Sequence, residues 1–159
     1  MKRVRTELVA TKPTAKRPID KSLIAISQAA ATTDETVLFT ASTACTIVGL
    51  RWSLSFSGNS TAQVVGHWAV IVVYDGYAAN SLTTTDGSNF YEPEQNVLTF
   101  GCVTLADTDG AIPGPASHVS EGHTKTMRKM KVGDTLRLLS VANANTLNVK
   151  GVIQFFCKS

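Results

Sequence analysis

Residues 124–140 read TKTMRKMKVGDTLRLLS. A strand-like run over 123–131 meets a Val-Gly-Asp turn, and a second, more apolar run over 135–141 follows it. Gly-Asp is turn chemistry, so Asp134 is read as a turn former rather than a ligand. The first run is unusual for its charge: Lys125, Arg128, Lys129 and Lys131 fall within eight residues. As a strand it is not expected to alternate cleanly, because Met127 and Met130 stand three apart. A bulge or twist between those two methionines is expected.

Working outward, six more runs of strand type cover 22–29, 36–40, 46–56, 64–74, 96–105 and 147–158. Turn-rich segments separate them. The run HWAVIVV is nearly continuous apolar and suits a central strand. In NVKGVIQFFCKS, by contrast, Val149, Gly151, Ile153, Phe155 and Cys157 would share one face. No helical period persists, and internal repeats are absent. Two long loops, 75–95 and 106–122, hold most of the Gly, Pro, Asn and Asp. Eight strands with two long excursions predict an all-β chain, an eight-stranded jelly-roll sandwich in one domain.

Composition agrees: the 159 residues are 43% hydrophobic and 17% charged, with β-branched residues frequent. The net charge of +3 hides an asymmetry. Residues 1–21 hold seven cations, Lys2, Arg3, Arg5, Lys12, Lys16, Arg17 and Lys21, against Glu7 and Asp20, a net +5. The remainder carries eight basic and ten acidic residues, a net −2, and residues 53–123 contain no Lys or Arg. Pro13 and Pro18 discourage regular structure at the start of the chain. The expected organisation is a basic arm, 1–21, ahead of a sandwich domain, 22–159. A cationic tail on a mildly acidic body points to a polyanionic partner.

Other chemistries find little support. Cys45, Cys102 and Cys157 are odd in number and widely spaced, and are read as buried reduced thiols. His67, His118 and His123 do not fall at zinc spacing with them. His67, beside Trp68, reads as a satisfied core group. No GxSxG, Cys-His pair or phosphate loop appears, so no catalytic residue is assigned. Asp75, Asp86, Glu92, Glu94 and the ADTDG run at 106–110 could hold calcium, but turns use the same residues and no metal or cofactor is assigned. The sequon at Asn59 reads as a tight loop, and Phe90–Tyr91 as a subunit plug before a base-stacking pair. No stretch is long enough for a membrane span, and the apolar segment 23–26 is too short for a secretory leader.

The C-terminal 35 residues or so, from TKTMRKMK through VGD to GVIQFF, resemble capsid proteins of small circular Rep-encoding single-stranded DNA viruses. The basic arm is a second, independent point of likeness, although arms in that group are often denser in arginine. The resemblance implies a single jelly roll that self-assembles, in roughly sixty copies, into a small icosahedral shell. It implies viral single-stranded DNA as partner, a virion location with assembly in the host nucleus or cytoplasm, and a host receptor as a further candidate partner. Lys2, Arg3, Arg5, Lys12, Lys16, Arg17 and Lys21, with Arg128, Lys129 and Lys131, would then meet DNA phosphates. The same C-terminal pattern also resembles secreted trimeric domains of the tumour-necrosis-factor and complement type. In that case the lysines of 125–131 only protect a sheet edge.

Overall fold

The computed structural model describes residues 19–30, 33–58, 64–77, 97–105, 117–142 and 147–159, with 19–30 and 33–34 described by backbone path alone. Every regular element among them is a strand: β1 Ile19–Ala30, β2 Thr33–Thr40, β3 Cys45–Gly58, β4 Val64–Val73, β5 Val97–Leu105, β6 Ser117–Met130, β7 Thr135–Ala142 and β8 Leu147–Lys158. They form two antiparallel four-stranded sheets, ordered β1-β8-β3-β6 and β2-β7-β4-β5. The result is a β-sandwich. Its pairing is nested: β1 with β8, β2 with β7, β3 with β6, β4 with β5.

Strands β1, β2 and β6 start earlier than composition suggests; β2 begins at Thr33, and Thr33–Glu35 pair with 139–141 of β7. β1 begins at Ile19, so Asp20 and Lys21 pair with Cys157 and Phe156. β6 begins at Ser117, and Ser117–Gly122, read from sequence as loop, pairs with 52–57 of β3. In each case a neighbouring strand offers ladder partners to residues that the sequence runs leave out.

The sandwich is held by the inner faces. In β8, Leu147, Val149, Ile153, Phe155 and Cys157 are buried, as alternation requires. Gly151 completes that face at φ +147°, where a Cβ would strike the Ser53 carbonyl. β3 changes phase instead: Ile47 and Leu50 are both buried, and its register shifts between Ile47 and Gly49 against both neighbours. Trp68 of β4 fills the centre, edge-on to Trp52 at 5.6 Å and stacked on Phe56 at 6.5 Å. Each such buried side chain contributes about 1.5–3 kcal/mol. β4 is apolar and buried from Trp68 to Val73 because both its faces are covered there. Val70 and Val72 join the main core, while Ala69, Ile71 and Val73 form a second cluster with Leu139 and Val141 on the far side.

The cysteines divide. Cys45 and Cys157 are buried free thiols, as read from sequence, but Cys102 is exposed. It alternates outward beside the buried Val103 on β5, at a sheet edge. Burial, and then the hydrogen bond with Cys157, push the Cys45 thiol up to about 12.

Candidate nucleic-acid interface

β6 is an edge strand, paired among the described strands only with β3. From Val119 to Lys129 its odd-numbered residues are exposed and the even ones are partly covered, ending in buried Met130. The basic run therefore does alternate, contrary to the expectation for its lysines and methionines. Its register does shift against β3 between Lys125 and Arg128, where Thr126 and Met127 stand against Val48 alone, overlapping the expected Met127–Met130 interval. The phase change is absorbed at Ile47–Leu50 of β3, so the β6 row stays regular.

Alternation splits the basic cluster. Lys125 and Lys129 point to solvent on the outer face, whereas Arg128 lies half-buried opposite Ile47 on the inner side. Lys131 is exposed in the following turn. Asp134 builds that turn. It is 2% exposed, and its carboxylate accepts the amides of Lys131 at 2.6 Å and Asp75 at 3.0 Å. Gly133 at φ +91° lies too close to the Asp75 carboxylate for any side chain and donates to the Ala41 carbonyl at 2.9 Å. Ala41 in turn donates to the Asp134 carbonyl at 2.9 Å. Three connections at this end of the sandwich are thus tied by one carboxylate and one backbone pair.

The outer face of β1-β8-β3-β6 carries more cations than the sequence suggested. Arg51 of β3 and Lys150 and Lys158 of β8 join Lys125 and Lys129, all exposed, and Glu121 is the one acid among the described side chains of that face. The signal was available: Lys150 and Lys158 fall opposite in phase to the Val149–Cys157 face. Beside Glu121 lies an open groove of about 380 Å³, bordered by Arg51, His123 and Gln154. Gly122 leaves room there for the Trp52 indole, which donates to Ser120 Oγ at 3.3 Å, and Ser53 Oγ donates to Glu121 at 2.8 Å. The opposite outer face differs. Its Arg137 is paired with Glu35 at 2.9 Å, and its centre is the second apolar cluster.

Register joins the two basic stretches. Lys129 faces Thr46, Thr46 faces Lys158, and Lys158 faces Ile19, one row across all four strands. A second row runs from Lys125 through Gly49 and Phe156 to Lys21. Strand spacing puts Ile19 within about 14 Å of Lys129. Lys2, Arg3, Arg5, Lys12, Lys16 and Arg17 lie outside the described residues, but the chain segment bearing them joins the sheet at this cationic end. Such a surface can hold phosphates through point charges and cannot read base sequence.

Other sequence candidates separate. His67 is half-buried on β4, opposite Cys102 and Val141. Among the described residues no group of three His, Cys, Asp or Glu is placed to hold a metal. Asp86, Phe90, Tyr91, Glu92, Glu94, residues 106–110 and the sequon at Asn59 lie outside the described residues.

The chain matches no family model and no curated protein sequence. Among solved structures it is similar to a chain of infectious bursal disease virus strain Gx, at 12% identity and a TM-score of 0.36, over 96% of this chain and 36% of that one. It is similar to a chain of Desmodium yellow mottle tymovirus at 14% identity and a TM-score of 0.35, over 96% and 95%. A third likeness is to a human norovirus GI.7 Houston-strain virus-like particle of T=3 symmetry, at 11% identity and a TM-score of 0.36, over 87% and 30%. This chain spans about a third of the bursal-disease-virus and norovirus chains. Identities and TM-scores this low leave the functional reading to the molecule's own geometry.

Proposed function

We propose that this protein is a viral capsid subunit: a jelly roll that self-assembles into a small icosahedral shell around single-stranded DNA. Its role is structural, not catalytic, and its place is the virion. The observation that supports the reading is the cross-strand row from Lys129 through Lys158 to Ile19, which sets the first residue of β1 at the same end of the sheet as two exposed lysines. The nested pairing of first strand with last, second with seventh and so on is a jelly-roll order and supports the same conclusion. In the shell the cationic outer face of β1-β8-β3-β6 and the arm line the interior. Binding is to phosphates, salt-dependent and blind to sequence. Burial of apolar area between subunits drives assembly, and phosphate neutralisation relieves repulsion among the arms.

The test is size-exclusion chromatography with light scattering on the purified chain, with the 260/280 nm ratio recorded and the peak imaged by electron microscopy. Uniform megadalton particles with nuclease-protected nucleic acid are expected. Deleting residues 2–18, which stops short of β1, should leave particles that hold much less nucleic acid. Truncated particles as full as the parent would refute the arm's role. A nucleic-acid-free peak of three subunits would refute the shell and favour the secreted trimer.

A further inference from the structure

We infer that β6 is a self-complementary edge, and that two copies of this chain dimerise by pairing their β6 strands antiparallel about a two-fold axis at His123. The strand is fourteen residues long, sits at the sheet edge and alternates in exposure from Val119 to Lys129, its register shift against β3 being confined to Lys125–Arg128. Such an edge is a template for another strand. Two large apolar side chains stand in solvent on that row, Val119 at 57% and Met127 at 82% exposure. They are equidistant from His123, and so are Glu121 and Lys125.

An antiparallel pair centred on His123 therefore sets Val119 against the second copy's Met127, and Glu121 against its Lys125, each pairing made twice. On the other face Ser120 meets Thr126 and Gly122 meets Thr124. Matched apolar, opposite-charge and hydroxyl pairs are the units that stabilise a sheet. Neighbouring registers lose this match. Centring on Thr124 sets His123 against Lys125 and Glu121 against Met127, and centring on Lys125 sets that lysine against itself. The lysines, which block random strand addition, thus permit one register.

The consequence reaches the cationic face. A two-fold axis normal to the sheet keeps both outer faces on one side. Two four-stranded sheets then become one continuous sheet, with Arg51, Lys125, Lys129 and Lys158 of both copies on the same surface. The dimer stands independently of the shell reading. A chain that dimerises this way and builds no particle would refute the shell and leave the β6 pairing intact.

The experiment is sedimentation velocity on the full-length chain. E121K and K125E each turn the two Glu–Lys pairs into like-charge pairs. Each should raise the dimer Kd about ten-fold. Mixing E121K with K125E, or combining both changes in one chain, restores the opposite charges and should return the Kd to the parental value. If the parent runs as particles, H123C in a C102S background is oxidised in place, and a disulfide-linked peptide joining position 123 of two copies is expected on mass spectrometry. Single variants that dimerise like the parent, a mixture no tighter than its parts, a parent monomeric to roughly 0.1 mM, or oxidised particles without the linked peptide would each overturn the proposal.

Discussion

Replacing Asp134 by alanine removes the carboxylate that ties one end of the sandwich together. That carboxylate is 2% exposed and accepts two backbone amides, Lys131 at 2.6 Å and Asp75 at 3.0 Å. Hydrogen bonds to an ionised group are worth roughly 1.5–3 kcal/mol each, more than neutral ones. Both amides are partly covered, so water recovers some of the loss, and D134A should cost about 3 kcal/mol. D134N keeps one acceptor oxygen but turns an amino group toward the other amide, and should cost about half as much. For a chain of this size 3 kcal/mol lowers Tm by about 6–12 °C. Urea denaturation is the assay, followed by the fluorescence of Trp52 and Trp68, both packed against the core. The loss should be the same with and without a calcium chelator, because the carboxylate is satisfied by amides. D134A within about 1 kcal/mol of the parent would refute the tie, and a loss seen only without chelator would make Asp134 a metal ligand.

Three further outcomes are expected. Gly151→Ala should abolish or severely weaken folding, since a Cβ at φ +147° meets the Ser53 carbonyl; soluble parental-like protein from this variant would contradict the β3–β8 approach. Neutralising Lys125, Lys129 and Lys158 with glutamine should weaken single-stranded DNA binding equally across sequences, and flatten the slope of log K against log salt concentration by about 0.7 for each phosphate no longer neutralised; an unchanged slope in fluorescence anisotropy would remove these residues from the interface. The Cys45 thiol is raised from 9.0 to about 12, so the folded state holds its proton more tightly than the unfolded one. Its contribution is fully present below pH 9.0 and is lost as pH rises towards about 12; C45A should show a shallower alkaline loss of stability than the parent, and identical alkaline curves would refute this.

Much of the sheet arrangement was legible because the period of two survives in the residues themselves. The strand over 147–158 shows one buried face in its letters, and β8 buries that face. The run over 64–74 is apolar on both sides, and β4 is covered on both sides. Misreadings came where a neighbour overrode composition. Ser117–Gly122 has little strand preference but receives ladder partners from 52–57. Two methionines three apart suggest a broken phase, yet exposure alternates without a break over 119–129. In the structure one of them is the most exposed large hydrophobic residue among those described, and the phase break lies on β3.

The candidate interface divides along the same line. Charge excess, turn chemistry at Val-Gly-Asp and strand periodicity are local properties, carried by neighbouring residues and their sterics, and the sequence alone determined them. Which face a lysine occupies also follows from counting by two once the strand is known. The juxtaposition of Ile19, Lys158 and Lys129 does not follow, because it joins positions 19, 129 and 158 through three strand registers. Registers are set by which apolar faces must be buried together and by irregularities such as the shift at Ile47–Gly49. Only the assembled sandwich settles them.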